Sequence, residues 1–360
     1  MMHRLALFLA ACLSAAVLSA CGGAVSPQAP IAGLQIPARA SLKPLARKAV
    51  GPFANLYVAN FGNNTVTVYA PGAILPLRTI SAGISYPSAL AFDSLGNLYV
   101  INYSFSPSGG YVTVYAPGST SVSETISAYP YSLAIDRHDD LYVGTQSSVY
   151  VFAPGTASPK QTITQGIDFA SGMAFDSLGN LFVANNNNST VTVYRPGDRV
   201  LIRTISRGLI RPYALTMDAA DNLYVAGGVD PTYYFFGTVT VYARGAKRPL
   251  RTLDGVSGAS DFAFNPSGNL FVANCGEYCG GAFNGDVTAY LPGSKSPFRT
   301  ISQDILSPRS LAFSPTGNLF VANYDFQING SVTVYAYGKK RLLRTITQGI
   351  SLPISIAFGP

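Results

Sequence analysis

From Leu56 onward, hydrophobic and polar positions alternate in short runs separated by polar, glycine-rich or proline-rich breaks. In the stretch from Ser88 to Ile126 the runs are Leu90 to Asp93, Leu98 to Asn102, Tyr111 to Ala116 and Glu124 to Ile126. They are bounded by Asp93-Ser94-Leu95-Gly96-Asn97 and by Pro117-Gly118, residues that favour tight turns. Side chains two apart share one face of a strand, so each run is predicted to be a strand. No segment past Pro52 carries a helical period, and the chain is therefore predicted to be all-β.

This four-strand unit recurs seven times. Asn-Leu-Tyr/Phe-Val-Ala-Asn or a variant begins at Asn55, Asn97, Asp140, Asn180, Asn222, Asn269 and Asn318, at spacings of 40 to 49 residues. A Val-Thr-Val-Tyr run and an Arg-Thr-Ile run follow in each copy, the former degenerate at Val149. Four short strands per period of this length indicate a propeller blade rather than a solenoid coil. We label the strands a to d. The first repeat starts at strand b, and the chain ends on a lone strand a, Pro353 to Gly359. The predicted fold is a seven-bladed β-propeller of four-stranded blades, closed by the C-terminal strand pairing with the N-terminal blade. Strand a alternates large residues (Leu90, Phe92) with small ones (Ala89, Ala91), so each blade is expected to have a bulky face and a thin face that nest.

Composition adds little to this picture. Charged residues make up 11%, aromatics 12%, and the formal charge is +7. Most cations precede strand d (Arg78, Arg203, Arg251, Arg299, Arg344) or sit in turns such as Lys339-Lys340-Arg341. They read as a solvated rim, or as weak attraction to an anionic envelope surface. No basic run is interleaved with stacking aromatics, so nucleic acid is not an expected partner.

The N-terminus carries an address. Residues 1–20 have a charged start at Arg4 and an apolar core from Leu5 to Val17, too short to span a bilayer. The following Leu18-Ser19-Ala20-Cys21 resembles the bacterial lipoprotein box, which implies cleavage before Cys21 and its lipidation. Gly22 stands where an inner-membrane retention signal would have Asp. The expected destination is thus the outer membrane or cell surface, with membrane contact through the N-terminal lipid. Residues 21–52 read as an Ala/Pro-rich tether and residues 53–360 as the propeller. Of the remaining cysteines, Cys275 and Cys279 are expected to form a disulfide in an oxidising compartment.

The repeat as a whole, Leu-Ala-Phe-Asp-x-x-Gly-Asn-Leu-Tyr-Val-Ala-Asn followed by Val-x-Val-Tyr, resembles the NHL repeat and its relatives in the gluconolactonase/strictosidine-synthase group. That group contains scaffolds, lactonases and lyases, so the resemblance implies fold more than function. Its metal-dependent lactonases use acidic and amide ligands around the central channel. Here Asp261 alone is acidic among the strand-a starts, and Asp168, Asp254 and Asp304 lie in the d–a connectors. A divalent cation at Asp261 is the cofactor this alternative would need. Apart from His3 in the leader, the only histidine is His138, in an a–b turn, so neither a histidine dyad nor a Ser-His-Asp set can be assembled.

Long b–c loops in repeats 2, 5, 6 and 7 gather Tyr103, Phe105, Tyr233, Tyr234, Phe235, Phe236, Tyr278, Phe283, Tyr324 and Phe326 on one face. Two readings stand: a binding surface, or rings that fold back to cap the blades. The asparagines Asn60, Asn185, Asn274 and Asn323 are expected to cap strand ends. The functional expectation is a monomeric, non-enzymatic propeller that binds an envelope protein, peptide or glycan without a cofactor. The alternative is a metal-dependent lactonase or esterase.

Overall fold

The computed structural model describes residues 54–104, 109–197, 199–228, 236–276, 285–325, 327 and 329–360. They form seven four-stranded antiparallel sheets arranged as a β-propeller. Blade 1 comprises strand a Pro353–Gly359, b Asn55–Asn60, c Thr65–Tyr69 and d Arg78–Ile80. Blades 2 to 7 begin their inner strand a at Pro87, Ser132, Ala170, Ala214, Ala259 and Pro308, in that order. Closure is as expected: the last strand pairs antiparallel with the first, from Asn55 opposite Gly359 to Asn60 opposite Pro353.

The bulky and thin faces nest. Ala89 and Ala91 of blade 2 share a core with Leu133 and Ile135 of blade 3. The same offset places Ala174 against Leu215 and Met217, Ala263 against Leu311, and Ala312 against Ile356 and Phe358. Five seams also carry edge-to-face rings, such as Tyr57 with Phe92 at 4.8 Å and Phe320 with Phe358 at 5.0 Å; blades 3 and 5 have Ile135 and Met217 at this strand-a position.

Successive blades are further joined by the connector from strand d to the next strand a, which lies across the next blade's strand c. The tyrosine ending Val-Thr-Val-Tyr donates its hydroxyl to a connector carbonyl: Tyr69 to Gln348, Tyr115 to Ala82, Tyr194 to Gln165, Tyr242 to Arg207, Tyr290 to Asp254 and Tyr335 to Gln303. Blade 3 has Phe152 at this place and forgoes the bond. Gly349 follows Gln348 at φ +75°, where an added Cβ would lie 2.8 Å from Pro76 Cγ. The Val-Ala-Asn asparagines complete the grip. Asn60 Nδ2 donates to Thr67 Oγ1 at 2.6 Å while its Oδ1 accepts the Ser351 amide at 3.1 Å. Asn102, Asn185, Asn274 and Asn323 repeat both bonds. These side chains thus hold strand b, strand c and the incoming connector together, a wider role than strand capping.

The strand-d arginines depart from a solvated rim. Arg78, Arg203 and Arg344 are half-buried over the rings of Tyr57, Phe182 and Phe320, at 5.6, 5.6 and 5.7 Å. Blade 3 has Gln161 in place of that arginine, and Arg199 from blade 4 lies over Tyr142 instead, at 4.9 Å.

Burial raises the pKa of all six bonded tyrosines, to about 12 for Tyr194 and Tyr335. A raised folded-state pKa means that the folded chain holds these protons more tightly than the unfolded chain, whose tyrosines titrate near pH ~10. Their stabilisation is therefore complete below pH ~10 and is lost as pH rises through about 12. Phenolate absorbance on alkaline titration should show late ionisation coincident with unfolding. Tyr335→Phe should cost about 1 kcal/mol in denaturant midpoint analysis.

Candidate functional site at the loop face

The b–c loops and d–a connectors emerge on one face of the ring, where strand a begins. A residue at the entry to strand a has positive φ in every blade: one place before the strand at Leu352 (48°), Tyr86 (45°), Phe169 (61°), Gly258 (69°) and Ser307 (43°), and three places before it at Tyr129 (47°) and Arg211 (43°). Only one of the seven is glycine, although left-handed backbone costs a bulky residue about 1–2 kcal/mol.

Hydrogen bonds show what holds this geometry. The carbonyl of the left-handed residue accepts the first amide of its own blade's b–c loop: Phe61 to Leu352, Tyr103 to Tyr86, Asn186 to Phe169, Cys275 to Gly258 and Tyr324 to Ser307, all 2.9–3.1 Å. Its amide bonds to the preceding blade's b–c loop: Tyr86 to Asn64 Oδ1 at 2.7 Å, Tyr129 to Gly110 O at 3.3 Å, Phe169 to Gln146 O at 2.6 Å, Arg211 to Ser189 Oγ at 3.0 Å and Leu352 to Asn329 O at 2.7 Å. Leu352, Tyr86 and Phe169 make both bonds and so bridge two blades, and together with the single bonds of the other positions they form a belt around the mouth.

Below the belt, strand a is bulged at its second residue in five blades, at Ser88, Ser171, Ser260, Arg309 and Ile354. Ser132 Oγ donates to Ala170 O, Ser171 Oγ to Pro212 O and Ser260 Oγ to Pro308 O. Tyr213 donates to Ala259 O in the same way. The inner strands are thereby stitched blade to blade.

Aromatic side chains collect on the belt over blades 1 to 4. Phe61 and Tyr86 lie 5.1 Å apart, and Tyr131 and Phe169 4.3 Å apart. Burial raises the Tyr103 and Tyr131 hydroxyl pKa values, and at Tyr131 the charge of a Tyr103 phenolate would raise it further. Tyr129 is 51% exposed and Tyr86 37%, so this arc presents open ring surface. The adjoining Asn186 is buried; its Nδ2 donates to the carbonyls of Arg211 and Pro212, while Oδ1 has no hydrogen-bond partner. Of this arc, only Tyr103 stands out in the sequence, in the long b–c loop of repeat 2. The signal was present as Tyr86-Pro87 and Tyr129-Pro130, aromatics recurring at one repeat position.

The residues singled out in the sequence fare differently. Tyr324 is buried, with the Arg309 guanidinium 5.0 Å from its ring centre, and so caps blade 7 from within. Burial pushes Arg309 down to about 10. Phe236 begins strand c of blade 5, its backbone paired with Gly228, and its side chain lies outside the described residues. Phe105, Tyr233, Tyr234, Phe235, Tyr278, Phe283, Phe326, Cys21 and Cys279 also lie outside them. Cys275 is buried with Sγ 3.1 Å from Gly258 O, and its expected partner Cys279 lies outside the described residues.

Asp261 is buried in strand a of blade 6. Its Oδ1 accepts the Phe262 amide, and its Oδ2 accepts Ser310 Oγ at 3.0 Å and the Leu311 amide at 2.8 Å from blade 7. In this structure the carboxylate clips two inner strands. Asp168 accepts from Asn187 at 3.0 Å, and Asp254 is held below the usual carboxylate range by bonds from Lys295 and Ser296. Among the described residues no three acidic, histidine or cysteine side chains gather to hold a metal ion. His138 lies exposed in its a–b turn beside Arg137.

No protein-family model matches the chain, and no curated protein matches it. Solved structures do. A Bacteroides fragilis protein provisionally described as a 6-phosphogluconolactonase is 16% identical with TM-score 0.69, over 87% of this chain and 99% of its own. A functionally unknown protein from Desulfotomaculum acetoxidans is 14% identical with TM-score 0.67, over 85% and 98%. Kuenenia stuttgartiensis hydrazine synthase is 17% identical with TM-score 0.61, over 75% and 88%. At these identities the likeness defines the class, a seven-bladed β-propeller, and nothing narrower.

The belt makes a stability prediction. Tyr129→Gly relieves a strained, exposed residue and should leave stability unchanged or raise it by up to about 1 kcal/mol. Phe169→Gly removes a buried stacked ring at an equally left-handed position and should cost about 3 kcal/mol. Denaturant midpoints of the two variants, read side by side, check both signs.

Proposed function

We propose that the protein is an extracytoplasmic propeller, anchored to the outer membrane or cell surface through a lipidated Cys21, that acts as a monomeric binding scaffold. In this reading residues 1–20 are a signal peptide, residues 21–52 a tether, and the Cys275–Cys279 disulfide pins the b–c loop of blade 6. The NHL-like repeat serves as the frame. The ligand is a peptide or glycan of the cell envelope, or an envelope protein that carries one, and it is taken up on the loop face.

One observation carries this reading. Phe61, Tyr86, Tyr103, Tyr129, Tyr131 and Phe169 form an aromatic arc on that face, and two exposed members keep bulky rings at left-handed positions that glycine would occupy more easily. Strain retained on an exposed surface supports a role for the side chain itself. Rings of this kind supply contact area at small entropic cost. Immobilised protein should capture members of an envelope glycan and peptide library. Tyr86→Ala with Tyr129→Ala should weaken that capture at least about tenfold while leaving the melting temperature in place. Capture unaffected by the double variant would refute the assignment to this arc.

The second reading is a metal-dependent lactonase or esterase with Asp261 as a ligand. It is favoured by the buried carboxylate on an inner strand and by the fold shared with a provisionally described 6-phosphogluconolactonase. Elemental analysis of the purified protein decides between the two. Stoichiometric divalent metal that is lost in Asp261→Ala, together with lactone hydrolysis, would favour the hydrolase; the scaffold reading expects neither.

A further inference from the structure

We propose that the face opposite the aromatic arc docks on an anionic lipid surface through the half formed by blades 5, 6, 7 and 1. This face carries the a–b and c–d turns, and its charge is divided. The a–b turns of blades 2 to 5 hold Asp93, Asp136, Asp139, Asp140, Asp176, Asp218 and Asp221. Those of blades 6 and 7, Asn265-Pro266-Ser267-Gly268-Asn269 and Ser314-Pro315-Thr316-Gly317-Asn318, hold no acid. The cations lie on the other side. The c–d turns of blades 5, 6 and 7 expose Arg244, Lys247, Arg248, Lys295, Lys339, Lys340 and Arg341 and contain no acidic residue.

Two of these cations are engaged, Arg244 3.8 Å from Asp221 and Lys295 3.1 Å from Asp254. The other five form no ion pair among the described residues. By contrast, the cations in c–d turns elsewhere are largely occupied: Lys160 is paired with Asp140, and Arg199 is laid over Tyr142.

Large apolar side chains interleave with the basic residues. Leu250, Leu291, Phe298, Tyr337 and Leu343 are exposed beside them, and blade 1 continues the arc with Ile74, Leu75 and Leu77; blades 2 and 4 also expose Leu95, Leu178, Val200 and Ile202, so it is the cations without an ion pair among the described residues that mark out this half. Exposed apolar residues scattered singly need no explanation, but apolar residues interleaved with such cations on adjacent blades do. Cations alternating with leucine and aromatic side chains suit a phospholipid headgroup layer, where ammonium and guanidinium groups meet phosphates and the apolar groups enter the acyl boundary. An acidic protein partner would be served by the cations alone and gives no reason for the apolar residues. Docking this way would turn the loop-face mouth away from the membrane. The proposal does not rest on the acylation of Cys21 or on the ligand of the aromatic arc.

The test is co-sedimentation of the chain from Gly22 onward, made without acylation, with vesicles of phosphatidylcholine alone or mixed with phosphatidylglycerol. The ring closes through described residues only, so this chain retains the propeller. Binding should appear on the mixed vesicles and fall as salt is raised. Combining Lys247→Ser, Arg248→Ser, Lys339→Ser, Lys340→Ser and Arg341→Ser should weaken it by at least about tenfold. Leu75→Ser, Leu250→Ser and Leu291→Ser together should weaken it as well. Arg137→Ser with Arg195→Ser, on the other half of the face, should not. All these side chains are exposed, and unchanged melting temperatures confirm that the variants fold. The proposal is overturned by equal binding to both vesicle types, by a five-cation variant that binds like the parent, or by retention on immobilised polyglutamate without vesicle binding.

Discussion

A single four-stranded blade of this chain cannot bury either of its faces, and the fold depends on resolving that constraint seven times around a circle. Alternation within strand a resolves it. Alanines on the thin face receive leucine, isoleucine, methionine or phenylalanine from the next blade, so the seams pack without large cavities between sheets. Packing alone would allow blades to slide on one another. Directional bonds at three levels prevent it: strand-c tyrosines to connector carbonyls, buried asparagines to connector amides, and serines from one inner strand to the next. Each removes polar atoms from water only by pairing them.

The loop face pays for this closeness in backbone conformation. At Leu352, Tyr86 and Phe169 the residue that enters strand a gives its carbonyl to one b–c loop and its amide to another, and a left-handed conformation satisfies both; at Tyr129 the amide bonds to the preceding loop. Glycine would adopt it readily, yet tyrosine, phenylalanine, leucine and arginine stand there in five blades. In blade 4 the side chain is buried and its packing accounts for it. In blades 2 and 3 it is exposed, and packing does not. That contrast between Phe169 and Tyr129 is what directs the functional proposal to the aromatic arc.

Much of the frame was legible in the sequence because it repeats. The period, the strand-b and strand-c positions, the nesting of large on small and the closing strand all follow from patterns that recur. Strand a was placed too late, at Leu90 instead of Pro87, because a bulge at Ser88 breaks the alternation at its start. Strand d runs longer in blades 4 and 7, where Leu201 and Leu342 extend the pairing. The arginines of Arg-Thr-Ile were expected at a solvated rim, since a single-strand pattern does not show that a strand-b ring lies beneath the guanidinium of Arg78, Arg203 and Arg344. Tyr324 was grouped with loop aromatics because burial depends on Arg309, fifteen residues earlier in sequence and adjacent only in the fold. The site itself was least legible. It is composed of one or two residues from each of blades 1 to 4, each unremarkable alone, and only the ring brings them together.

If closure and the inter-blade bonds make the ring one cooperative unit, removing residues 351–360 must affect blades far from the cut. Amide hydrogen exchange of the truncated chain, resolved by blade, is the most direct measurement. The account predicts loss of protection in all seven blades, including blade 4 on the far side of the ring. Loss confined to blades 1 and 7, with the rest protected as in an open array of nearest-neighbour repeats, would contradict it.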